Sequence, residues 1–206
     1  MIIKILKTFK TCCSEVPENL QEAVLDALKE RLTKITIGDP SVEGVRMGPL
    51  ASLGQVDEVK RSVELLQKSA NLVHGSFDGL SPLGNGTEGG AFFPPFLLHC
   101  ENPLSSKGAH SIEPFGPVST VMPYKNIEEV NQLAKMGEGS LVGSLFTTSD
   151  EVAREVVLGT ASHHGRIMIL NKDSAKESTG HGSPLPHLVH GGPGRAGGGE
   201  EMGGLR

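Results

Sequence analysis

The sequence has 206 residues and a formal net charge of -5, enough chain for one sizeable core or at most a domain and a half. Hydrophobic residues make up 37% and charged residues 21%, a globular rather than a disordered balance. No run approaches the ~20 apolar residues of a membrane span, and an acidic chain with one Tyr and no Trp argues against a nucleic-acid surface, which wants a basic stripe with stacking aromatics.

The opening MIIKILKTFK is short and interrupted by Lys4, Lys7 and Lys10, so it reads as neither signal peptide nor anchor. Of the three cysteines, Cys12 and Cys13 are adjacent and Cys100 stands alone. That is neither a secreted disulfide framework nor a zinc-binding pair, and a reducing cytoplasm is the default. From Pro17 to about Lys34, Leu20, Ala23, Val24, Ala27, Leu28 and Leu32 recur at helical spacing. Ile35-Thr36-Ile37 is a short β-branched run that Gly38-Asp39-Pro40 stops. A second helix is expected from about Leu53 to Lys68, with Val56, Val59, Val63 and Leu66 on one face, and Leu72 to Leu98 reads as strands with loops.

Beyond residue 112 the pattern becomes regular. Strands are expected at Ser119–Tyr124, Leu141–Phe146 and Ile167–Leu170. Between them lie two helices, one opened by Asn126 with Glu129 and the other by Thr148 with Glu151. Strand-helix-strand-helix-strand with short joins predicts an α/β fold: a largely parallel sheet with flanking helices, followed by a glycine-rich C-terminal segment.

Three constellations could carry chemistry. In Ile112-Glu113-Pro114-Phe115-Gly116-Pro117-Val118, two prolines and a glycine fix the backbone just before a strand. A carboxylate and a ring on so stiff a loop suit a sugar-bearing cofactor: the carboxylate accepts from vicinal hydroxyls and the ring packs on a flat heterocycle. The plainer reading is a structural turn with an exposed Glu and a core Phe. Ten of the 27 glycines lie between Gly180 and Gly204. This stretch invites comparison with a phosphate cradle but lacks the GK[ST] ending, and a flexible or closely packed loop explains it better. The eight histidines, His163, His164, His181, His187 and His190 among them, show no metal-ligand spacing, and no metal is expected.

Taken in order, these segments resemble the C-terminal part of the aldehyde dehydrogenase superfamily. The resemblance starts at Val16-Pro17-Glu18 and runs through Ile37-Gly38-Asp39-Pro40, Gly48-Pro49-Leu50 and Pro95-Phe96-Leu97-Leu98. Glu113 to Val118 is similar to the family's glutamate–x–Phe-Gly-Pro-Val signature, and Asn171 and the terminal glycines complete the series. On this basis residues 16–206 are expected to be a catalytic domain and residues 1–15 to be unmatched. Gly180-His181-Gly182-Ser183-Pro184-Leu185-Pro186, running into His190 to Arg195, is similar to the aldehyde dehydrogenase half of the bifunctional ring-opening enzymes of bacterial phenylacetate breakdown.

The resemblance implies NADP- or NAD-dependent oxidation of a small aldehyde, of the CoA-linked semialdehyde class, to its acid through a cysteine thiohemiacetal. It implies that Glu113 binds the nicotinamide ribose and Phe115 supports the nicotinamide ring. It further implies a homo-oligomer, or a complementing chain that carries the cofactor domain. The family's nucleophile, base and dinucleotide fold precede the region that matches, so neither Cys12 nor Cys13 is assigned the nucleophile's role. The alternatives are a non-catalytic truncated remnant with a folding or subunit-contact role, and an anion-binding module built on the tail glycines.

Overall fold

A computed structural model describes residues 13–174 and 191–196. It opens with β1 (Cys13–Pro17), a 3-10 turn at Glu18–Leu20, and the helices α1 (Gln21–Thr33) and α2 (Leu53–Leu66). The strands β2 (Asn71–His74) and β3 (Phe96–His99) follow, then the short α3 (Lys107–Ser111) and β4 (Val118–Tyr124). The last part is α4 (Ile127–Met136), β5 (Ser140–Phe146), α5 (Asp150–Thr160) and β6 (His164–Leu170), with a final 3-10 turn at Gly194–Ala196.

The strands form two sheets rather than one. The larger has the order β1-β4-β3-β2, and β5 and β6 make a second, two-stranded sheet. β1 and β3 both run parallel to β4, β5 runs parallel to β6, and only β2 on β3 is antiparallel. The expected strand-helix-strand-helix-strand series is present, but both edges of β4 are taken by β1 and β3, so β5 cannot join it and pairs with β6 instead.

The larger sheet is covered on both faces. On one, Val59, Val63 and Leu66 of α2 and Ala109 of α3 pack against Phe96, Leu98, Val118 and Met122. On the other, the half-buried stripe of α1 (Val24, Leu25, Leu28, Leu32) covers Val16, Leu97 and Val121. Full burial of a Val or Leu side chain is worth roughly 1.5–3 kcal/mol, so three such residues on α2 fix that helix firmly on the sheet. A separate core joins Val130, Leu133 and Ala134 of α4 to Leu145 of β5 and to Ala153 and Val156 of α5.

Local signals explain most of the element ends. Ser52 and Asn126 cap α2 and α4 by accepting from the N–H of Gln55 and Glu129. Four expectations need correction. The first helix starts at Gln21 and not Pro17, because Pro17 ends β1. Cys13–Pro17 is a strand where the sequence reading placed no element: it is buried along almost its whole length, so no alternation of polar and apolar residues marks it. Ile35–Ile37 makes no strand, only single bridges from Ile37 to Met47 and from Gly38 to Leu83, since the turn at Asp39 and Pro40 ends the ladder. The cap of α5 is Ser149, whose hydroxyl accepts from Val152 N–H at 3.3 Å, one residue beyond the expected Thr148.

Candidate functional site

The loop between α3 and β4 is built by backbone constraint. Pro114 and Pro117 cannot donate, and the N–H groups of the residues around Pro117 turn back on the loop: Gly116 to the Pro114 carbonyl at 2.9 Å, and Val118 to the Gly116 carbonyl at 2.8 Å. The Pro117 carbonyl accepts from Phe96 N–H at 2.9 Å, which registers the end of the loop against β3.

Helix α2 is the seat of this loop. A Cβ placed on Gly116 would lie 2.7 Å from Cγ2 of Val59, so only glycine lets the loop approach the helix this closely. One turn earlier, Nε2 of Gln55 donates to the Phe115 carbonyl at 2.5 Å. The side before the loop is held as well, because the Arg195 guanidinium donates to the carbonyls of His110 and Ser111 at 3.4 and 3.1 Å.

On this frame Phe115 is 54% exposed, an unusual state for a phenylalanine whose neighbours are so tightly held. Glu113 is half-buried, with Oε1 shielded from solvent. The reading of this segment as a turn with an exposed Glu and a core Phe does not describe it: the ring is the more open of the two. The loop thus carries an open ring two residues after a partly shielded carboxylate.

The opposite end of β4 offers a contrast. A cleft of about 300 Å³ opens there among Glu18, Glu101, Glu129, Lys125 and Tyr124, at the carboxyl ends of the parallel strands. Ligands often bind at such ends, but three carboxylates against one lysine repel a phosphate-bearing molecule.

The remaining candidates resolve as follows. Within the glycine-rich segment, residues 191–196 are packed against the chain: Arg195 N–H goes to the Glu138 carbonyl and Ala196 N–H to the Pro193 carbonyl. Gly139, at φ 124, has the Pro193 carbonyl where a Cβ would stand. Gly180 to His190, with His181 and His187, lie outside the described residues, as do Gly197 to Gly204 and Cys12. Cys13 is 1% exposed. Cys100 is fully buried, and that burial pushes its thiol above the ordinary range against the opposing hydrogen bonds of Ser106 and Asn102. A thiol held in its protonated form is a poor nucleophile. His164 is buried with Nδ1 3.0 Å from the Thr160 carbonyl, and His163 Nδ1 lies 2.9 Å from Ser162 Oγ. Among the described residues, no group of three or more His, Cys, Asp and Glu side chains converges as a metal site would.

The sequence profile described as the aldehyde dehydrogenase family matches residues 11–203. The chain belongs to this family. The match begins at residue 11, ahead of the expected start at 16, and takes in the whole of β1.

Among curated relatives, the protein named MaoC of Klebsiella aerogenes is 53% identical over 161 residues, 78% of this chain and 46% of that protein. The 3,4-dehydroadipyl-CoA semialdehyde dehydrogenase of Aromatoleum evansii is 34% identical over 177 residues, 86% of this chain and 34% of that enzyme. The chain therefore spans less than half the length of these two relatives. A solved aldehyde dehydrogenase family fold, the succinic semialdehyde dehydrogenase of Streptococcus pyogenes in complex with NADP+, superposes with a TM-score of 0.75 at 22% identity. That superposition covers 94% of this chain and 39% of the other. At that identity the likeness is one of fold, and it bears out the mixed α/β architecture.

Two contacts that hold the loop were not anticipated from sequence. Gln55 carried a signal, since Ser52 and Gln55 have the spacing of a reciprocal helix cap. Arg195 carried none, because its partners lie 85 and 84 residues away.

Proposed function

We propose that this chain supplies the nicotinamide-facing part of an aldehyde dehydrogenase site, with Glu113 accepting from the ribose hydroxyls and Phe115 packing against the nicotinamide ring. The observation that supports the reading is the pairing of a half-buried Glu113 with a 54% exposed Phe115 on a loop whose backbone is fixed on both sides. When bound, NADP or NAD would supply the hydride acceptor for oxidation of an aldehyde to its acid. The chain's own residues would do the positioning: the Glu113 carboxylate holds the ribose, the Phe115 ring shields one face of the nicotinamide, and α2 keeps the two in register.

The kinship with the semialdehyde dehydrogenase of Aromatoleum evansii supports a CoA-linked semialdehyde as the substrate class; a place in phenylacetate catabolism rests on the resemblance of Gly180 to Arg195 alone. The same reading has the protein working in the cytoplasm as a homo-oligomer or with a complementing chain that carries the cofactor domain.

The test is a fluorescence titration with NADPH and NADH of the wild type, Glu113→Gln and Phe115→Ala. A hydrogen bond to a charged group is worth about 1.5–3 kcal/mol, so Glu113→Gln should weaken binding at least tenfold. Equal affinity in all three proteins would overturn the reading. No dinucleotide binding by the wild type, alone or with a cofactor-domain chain, would favour a non-catalytic folding or subunit-contact role.

A further inference from the structure

We propose that Gln55 is a positioning residue for the Glu113–Phe115 loop, acting through the part of its side-chain amide that helix capping leaves over. Gln55 occupies the first turn of α2. Its backbone N–H is accepted by Ser52 Oγ at 3.1 Å, and its Oε1 accepts from the N–H of Ala51, the residue before the cap, at 3.0 Å, so the side chain closes the entry to the helix from outside. That arrangement uses the oxygen of the amide and leaves the NH2 group. This group reaches 60 residues along the chain and donates to the Phe115 carbonyl at 2.5 Å.

The peptide unit from Phe115 to Gly116 is thereby held at both ends. Its oxygen is fixed by Gln55, and its N–H by the Pro114 carbonyl at 2.9 Å. Gly116 rests on Val59, one helical turn beyond Gln55 on the same face of α2. With the peptide plane pinned, the direction in which the Phe115 side chain leaves the backbone is set. This matters because the ring itself is 54% exposed and gains little orientation from packing. The role toward a bound cofactor rests on the reading of Glu113 and Phe115 given above; the hold on the loop does not.

Capping alone would be served equally by glutamate, which accepts from the same N–H and suits the positive end of the helix. Glutamate cannot donate, however, and would set a carboxylate against the Phe115 carbonyl. Gln55→Glu therefore separates the two roles, and Gln55→Ala removes both.

Hydrogen exchange at the Phe115, Gly116 and Val118 amides is followed by mass spectrometry in the free protein, beside thermal melting and titration with NADPH. Gln55→Glu is expected to melt closer to the wild type than Gln55→Ala does, to speed exchange at Gly116, and to weaken dinucleotide binding about fivefold, the worth of one net hydrogen bond. Gln55→Ala should show the same loop change and a lower melting temperature. If Gln55→Glu exchanges like the wild type at Gly116, Gln55 is a cap and nothing more. If exchange quickens while affinity holds in a protein that binds the cofactor, the positioning role is likewise lost. Should the wild type bind no dinucleotide, the cofactor reading fails, and exchange still decides whether Gln55 holds the loop.

Discussion

Arg195 donates to the Ser111 carbonyl at 3.1 Å, tying a segment of the C-terminal glycine-rich region to the last turn of α3, two residues before Glu113. The carbonyls at a helix end have no partner within the helix, and a cation there is favoured by the helix dipole. Arg195 lies beside β5 through its own N–H on the Glu138 carbonyl, so its side chain links the second sheet to the loop that precedes the first sheet's β4. Arg195→Ala is expected to cost about 1–2 kcal/mol, a charge-assisted hydrogen bond reduced by partial exposure. Urea unfolding measures it, and an unchanged midpoint would mean that the link contributes nothing.

A methyl group at residue 116 has nowhere to go. Gly116→Ala should destabilise by about 1–3 kcal/mol, the usual cost of overpacking, because its Cβ meets Val59 Cγ2 at 2.7 Å. Val59→Ala in the same chain opens that space, so the double variant should be less unstable than the sum of the two single ones. Additive losses in a denaturant series would show that the two residues do not press on each other.

Glu138 has φ 56, the one positive value at a non-glycine among the described residues. A side chain there costs energy that glycine avoids. Glu138→Gly is therefore expected to stabilise by about 0.5–1 kcal/mol, read as a higher melting temperature. A lower one would mean that the Glu138 side chain makes up for its backbone.

Burial makes the Cys100 thiol bind its proton more tightly in the folded chain than in the unfolded one. Its contribution to stability is then complete below the unfolded pKa of about 8.5 and declines as pH rises from there toward the folded value. Stability measured by urea unfolding should fall more steeply with alkaline pH in the wild type than in Cys100→Ala. Parallel curves for the two proteins would rule out a linked thiol at this position.

What the sequence disclosed depended on how local each signal was. The Asn126–Glu129 cap and the Val59, Val63, Leu66 face of α2 involve residues a turn or two apart, and both stand as read. The stiffness of Glu113 to Val118 was legible in its prolines, and the structure adds that the ring is exposed. β1 was missed because Cys13 and Val16 are covered on opposite faces of one sheet and leave no alternation to detect. The division into two sheets follows from which strands flank β4, a choice made between residues about 100 positions apart. Gln55 and Arg195 belong to the same class: each meets its target only after the chain has folded back on itself.

The contact between Pro193 and Gly139 also bears on the order of assembly. β5, α5 and β6 are complete by Leu170, but Pro193 and Arg195, which lie against Gly139, come later in the chain. In a chain emerging from the ribosome, that corner stays open after its neighbours have paired, and it sets last. Nascent chains arrested just after Leu170 should therefore be cut more readily by protease near Glu138 than chains that have passed Ala196.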